Sequence, residues 1–195
     1  NINLNDEIRK ISRFKERKVR LKNEIDKIKD NENLEDAFKK RQIKLLERKL
    51  TLDSPFDSII IASEGDKLLE ILSHLAFYDI NSENTNIYGT SLWEDSEKKD
   101  SAFKGAIYAS SLKEKKGEFT QSFKNIFSRD PMSFNFHMHD LLDLVQNYKI
   151  MEDGEKEKIV FYGEFSNSKI EAGLLQREIF LKKIKNNKRT EEVFN

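Results

Sequence analysis

The chain has 195 residues, 37% of them hydrophobic and 36% charged, and no cysteine. Its 35 Lys+Arg match 35 Asp+Glu, and a formal net charge of zero argues against a chain that binds nucleic acid over its whole surface. Disulfides, thiolate metal sites and cysteine nucleophiles are excluded, and no apolar run reaches the roughly 20 residues that span a bilayer.

Residues 5–29 lack Gly and Pro and predict one long helix. Ile11, Phe14, Leu21, Ile25 and Ile28 fall on a heptad-like seam that Lys18 interrupts. This stretch carries ten Lys/Arg against five Asp/Glu, which suits an anionic partner or a solvated helix face. After the polar break at 30–33, Asn33 is placed to cap a second helix running to about Leu50. Its apolar residues are Leu34, Ala37, Phe38, Leu45, Leu46 and Leu50. The two helices predict an antiparallel hairpin occupying residues 1–54.

The stretch Phe56–Leu72 organises the rest of the chain. Ser58–Ala62 is a short apolar run of the kind buried on both faces in a parallel sheet. Ser63 and Gly65 open a turn, Ser63–Asp66 has the form of a helix start, and Leu68, Leu69, Ile71, Leu72 and Leu75 recur at helical spacing. A second apolar segment at Ile87-Tyr88 completes a βαβ unit. Ligands in such sheets sit beyond the carboxyl ends of the strands. That rule selects Ser63, Glu64, Thr90, Ser91 and Trp93, with Ser110 at the end of a third strand over 104–109.

The loop 94–101 is polar and predicted to be exposed. Beyond the charged connector 113–118, helices are predicted over 119–127 and 134–148, the second burying Met138, Leu141, Leu142 and Val145. A charged turn surrounds Gly154. Residues 159–165 and 174–184 read as strands, the latter with neither face cleanly apolar and so an edge strand. The tail beyond Asn186 reads as loose.

Catalytic signatures are scarce. Ser91 stands at a strand end like a nucleophile elbow, but the glycine required two residues later is Trp93. No Walker or Gly-x-Gly-x-x-Gly sequence is present. His137 and His139 are the best metal candidates, yet residues two apart on a helix do not face each other. Glu64 and Asp66 read as paired carboxylates or as acids at a helix start. The run Lys182-Lys183-Ile184-Lys185 with Lys188-Arg189 is a phosphate contact or a solvated strand end. Trp93, Tyr88 and Tyr108 suit a ligand cleft and a covered core equally. The expectation is no enzyme, no cofactor and no metal.

Several segments resemble the later part of type I periplasmic binding proteins, and most closely the penicillin-binding protein activator branch, related to the substrate-binding components of ABC transporters. They are Phe56-Asp57-Ser58-Ile59-Ile60-Ile61, Gly65-Asp66-Lys67-Leu68, Leu75-Ala76-Phe77-Tyr78-Asp79-Ile80, Ile87-Tyr88-Gly89-Thr90-Ser91-Leu92-Trp93-Glu94-Asp95 and Lys104-Gly105-Ala106-Ile107-Tyr108-Ala109. His139-Asp140 stands where the family often has Tyr-Asp, and Gly163-Glu164-Phe165 to Gly173-Leu174 resembles its closing β-turn-β segment. The resemblance covers roughly residues 35–185.

The resemblance implies an α/β fold with the mainly parallel sheet of one lobe, preceded by the helical hairpin and with the first lobe incomplete. Residues 55–112, with strands from 159–185, form the α/β lobe, and the helices of 113–158 belong to the partial second lobe. It implies a non-catalytic periplasmic module that regulates peptidoglycan synthesis through a cell-wall synthase; the alternative is a solute-binding receptor that serves a transporter and takes a small polar ligand. Asn1 in place of methionine fits a longer protein, with a lipid anchor in the preceding segment. Amino-acid-binding members place an acid after the strand glycine, whereas here Thr90-Ser91 follow and the first carboxylate is Glu94. A buried ammonium without a counter-charge is costly, so a free amino acid is a poor ligand.

Overall fold

The computed structural model describes residues 3–98, 100–113, 117–150, 158–185 and 190–194. The expected turn about Gly154, and Lys188-Arg189, lie outside them.

The expected first helix is two helices, α1 (Leu4–Ile11) and α2 (Phe14–Asp30), because Arg13 adopts a left-handed conformation at φ 50° and breaks the ladder. Helix α3 runs Asp36–Leu46, starting later than Asn33 and burying no residue. A side chain of α2 ties this helical region to the rest. Arg17 is buried, and its guanidinium donates to the carbonyls of Leu52 (2.9 Å), Asp53 (3.0 Å), Tyr78 (3.0 Å) and Asp79 (3.1 Å).

Strand β1 (Ser58–Ile61) leads into α4 (Gly65–Phe77), which buries Leu68, Leu72 and Leu75 at helical spacing. The expected Ser63 cap is not made. Glu64 is the N-cap without a side-chain bond, and the Gly65 N–H is instead taken by Ser96 Oγ at 3.1 Å. At the other end Asp79 turns left-handed at φ 59°, and the Ile80 N–H returns to the Leu75 carbonyl at 2.9 Å. Such a reversal closes a helix, and the cation of Arg17 on its last carbonyls complements the helix dipole.

Strands β2 (Asn86–Gly89) and β3 (Ile107–Ser110) continue the sheet in parallel with β1. After α5 (Glu118–Phe127), α6 (Ser133–Ile150), β4 (Lys158–Tyr162), β5 (Asn167–Glu171) and β6 (Leu174–Arg177), the chain returns through β7 (Phe180–Ile184) and β8 (Thr190–Phe194). The larger sheet has the order β1-β2-β3-β7-β8, with β7 antiparallel to both neighbours; β4-β5-β6 form a separate antiparallel sheet.

Several expectations are corrected. β1 is an edge strand and not the centre of the sheet; Ile60 on its outer face is 73% exposed. An apolar run records tolerance of burial and not the number of neighbours. The strand expected over 174–184 is two strands in different sheets, and the connector 166–173 contributes β5. Residues 190–194 of the expected loose tail form β8, paired with β7. Helix α6 buries Phe136, Asp140 and Leu144 rather than Leu142 and Val145, which are exposed. That rotation follows from the second core, where Phe136 packs with Leu112, Phe165 and Phe119.

Candidate functional site

The carboxyl ends of β1, β2 and β3 lie side by side, since Ile61 pairs with Gly89 and Gly89 with Tyr108. The structure thus brings Ser63-Glu64, Thr90-Ser91 and Ser110 to one edge, as topology requires, but gives them different roles.

Trp93 is fully buried, its indole N–H donating to the Ile61 carbonyl at 3.0 Å. Its ring meets Phe103 edge-on and stacks over Tyr108, so between cleft and core the structure places it in the core. Gly89 makes this possible: a Cβ there would stand 2.2 Å from the indole. Ser110 is also buried, its hydroxyl donating to the Leu112 carbonyl (3.2 Å) and accepting from the Leu112 N–H (3.1 Å), which shapes the exit from β3. Glu64 and Ser91 are exposed, and Ser63 and Thr90 half-buried. Thr90 Oγ1 is hidden from solvent and has no hydrogen-bond partner among the described residues.

The loop after Trp93 is less exposed than expected. Glu94 folds inward and pairs with Lys182 of β7 at 3.4 Å, both side chains buried, and Lys182 also donates to the Lys113 carbonyl. Lys98 lies over the Tyr108 ring and donates to the Glu94 and Ser96 carbonyls, each at 3.0 Å. Burial, reinforced by Glu94 and Asp95, raises the Tyr108 phenol above its ordinary range, so it stays neutral. Asp95 reaches the start of α6, accepting from the Ser133 N–H at 2.7 Å. This acid at a helix N-terminus is favoured by the dipole. It links the strand-end loop to the second core.

Two groupings escaped the sequence. Ser111 Oγ and His137 Nε2 stand 3.1 Å apart across 26 residues, with the tautomer setting which one donates. Asp140 is buried and accepts from the Phe165 N–H and from the Ser166 hydroxyl (2.8 Å), with Gly163 packed against its carboxylate. It therefore fixes the turn between β4 and β5. His137 and His139 have different surroundings along α6: His139 meets Phe119 and Phe165 edge-on and lies 3.6 Å from Asp140. Among the described residues no cluster of three or more metal-ligating side chains occurs, and no helix is long and apolar enough to cross a membrane.

Cavities of about 640, 420 and 380 Å³ open elsewhere, and none of the six strand-end candidates lines them. The largest of these lies between α2 and residues 47–50.

No family model matches the chain, and no curated protein does. Among solved structures it is similar to an extracellular ligand binding receptor from Desulfohalobium retbaense, with a TM-score of 0.49, 13% sequence identity and 70% of this chain covered. The match spans 26% of that receptor's length.

Proposed function

We propose that this chain is a non-catalytic, periplasmic binding-protein-like module that regulates peptidoglycan synthesis by contacting a cell-wall synthase, held to the membrane by a lipid anchor. The resemblance in sequence supplies the cell-wall assignment. The observation that favours a protein partner over a solute is the fate of the strand-end residues: Trp93 and Ser110 are consumed by internal contacts, and the first carboxylate after Gly89, Glu94, is paired with Lys182. A ligand ammonium would have to compete with a lysine already in place.

One observation favours the second reading, a receptor for a small polar ligand. Thr90 Oγ1, next in sequence to the exposed Ser91, has no hydrogen-bond partner among the described residues, and a polar ligand atom would satisfy it. Titration calorimetry of the full-length protein against amino acids and small peptides separates the readings. Under the partner reading no heat is released, and activation of a purified peptidoglycan synthase persists in Ser91→Ala and Thr90→Val. Micromolar binding abolished by Thr90→Val overturns it in favour of the receptor. Turnover of any substrate lost in Ser91→Ala or Ser111→Ala overturns the non-catalytic assignment.

A further inference from the structure

The zero net charge conceals a segregation. Residues 1–50 carry 16 Lys/Arg against 10 Asp/Glu, whereas residues 51–195 carry 19 against 25. The first segment is therefore +6 and the remainder −6. The basic segment also holds the open groove of about 640 Å³ between α2 and residues 47–50.

Its floor is apolar: Leu21 and Ile25 from α2, with Val19 and Leu50 reaching it while 58% and 52% exposed. Its rim is cationic. Lys18, Lys22 and Lys29 recur along α2 on the face that carries Leu21 and Ile25, and Lys49 faces them. Two acids belong to the rim as well, Asp26 and Glu47. Asp26 lies 3.9 Å from Lys29, and Lys49 is bound by Asp53 at 3.2 Å. Among the described ion pairs, none involves Lys18 or Lys22, although both could reach an acid brought by a partner. Like charges one helical turn apart repel, so this pair destabilises α2 until an anion neutralises it.

We infer that this groove is the docking site for an acidic amphipathic helix of a protein partner, whose apolar stripe covers Val19 and Leu50 while its carboxylates pair with Lys18 and Lys22. The inference rests on the protein-partner reading above and adds where contact is made and with what chemistry. An apolar floor flanked by cations matches the helix-in-groove mode of recognition. A phosphate backbone would use the lysines but leave Val19 and Leu50 in water. An anionic bilayer would prefer a flat or convex face to a groove.

The test uses the full chain and a fluorescent peptide of about 18 residues, five helical turns, with Leu along one face and Glu along the rest. A second peptide carries Lys in place of Glu. The expected result is binding of the acidic peptide about tenfold tighter than the basic one, weakened by salt. Lys18→Glu with Lys22→Glu should reduce it about tenfold, as should Val19→Asp, while Lys40→Glu on the exposed face of α3 should change it less than about twofold. Circular dichroism confirms that each variant is folded. No binding, equal binding of both peptides, or an equal loss in Lys40→Glu overturns the proposal. Binding to phosphatidylserine vesicles that Lys18→Glu abolishes, without peptide binding, overturns it in favour of a membrane surface. Synthase activation that survives the double lysine variant removes the groove and leaves the partner reading standing. Peptide binding without synthase activation keeps the groove and removes the cell-wall assignment.

Discussion

The helical region and the parallel part of the sheet draw on apolar packing and directed hydrogen bonds in different proportions. Around β1–β3 a continuous cluster joins Ile61, Leu68, Leu72, Ile87, Trp93, Phe103 and Tyr108, so stability there scales with apolar area removed from water. Helices α1–α3 contribute few buried side chains, chiefly Ile8, Arg17 and Leu21, and α3 contributes none. Their attachment combines the packing of Leu4, Ile8 and Phe14 on the edge of that cluster with the directed hydrogen bonds of one arginine. A nonpolar core tolerates small displacements, whereas a guanidinium holding carbonyls from two segments fixes distance and angle together. The difference accounts for a region that keeps a fixed position while exposing a charged, partly apolar surface.

The largest effect should come from the core. Trp93→Ala removes a fully buried indole and leaves the Ile61 carbonyl without its donor, an expected loss of about 4 kcal/mol in urea unfolding monitored by circular dichroism. Gly89→Ala should also be severely destabilising, because its Cβ has no room beside the indole.

Arg17→Met should come next, at about 3 kcal/mol, since it keeps much of the side chain's bulk but leaves one buried and three partly buried carbonyls without their donor. Burial lowers the arginine's pKa, opposed by Asp79 and Asp53, yet the group remains a cation across the working pH range. Arg13→Met, which loses only an exposed pair with Glu16, should cost less than about 0.5 kcal/mol and serves as the control. Equal losses in the two variants would sink the clamp.

Ile25→Asp combined with Leu45→Asp tests whether α2 and α3 stabilise one another. The expected outcome is a reduced helical signal and a local loss of about 1–2 kcal/mol, with the unfolding midpoint of the sheet little changed. Unaltered helicity would count against their pairing.

The smallest effect concerns pH. Tyr108 has its pKa raised by burial and by the nearby Glu94 and Asp95, so its folded form holds the proton that the unfolded chain releases near pH ~10. Its contribution is fully present below that pH and declines as pH rises above it. Tyr108→Phe should therefore show a shallower fall in stability between about pH 10 and 11 than the wild type. Parallel curves would contradict this.

Local signals determined much of the architecture. The apolar run at Ser58–Ile61, the spacing Leu68, Leu72, Leu75 and the second run at Ile87 specify strand, helix and strand, because periodicity records which faces avoid water. The rule for strand ends places Ser63, Thr90 and Ser110 at one edge from strand order alone. Tertiary structure alone decided the rest. That β1 lies at an edge depends on which strands pair with it, a non-local choice that its own residues do not encode. The division of 174–184 between two sheets depends on distant pairing partners, β5 for Leu174–Arg177 and β3 for Phe180–Ile184. Trp93 became core because Gly89 lets its ring approach the sheet, and Arg17 became a clamp because α4 ends where its guanidinium can reach. Sequence spacing reports the environment along one element; the partner of a long side chain is set by elements tens of residues away, and only the folded chain brings them together.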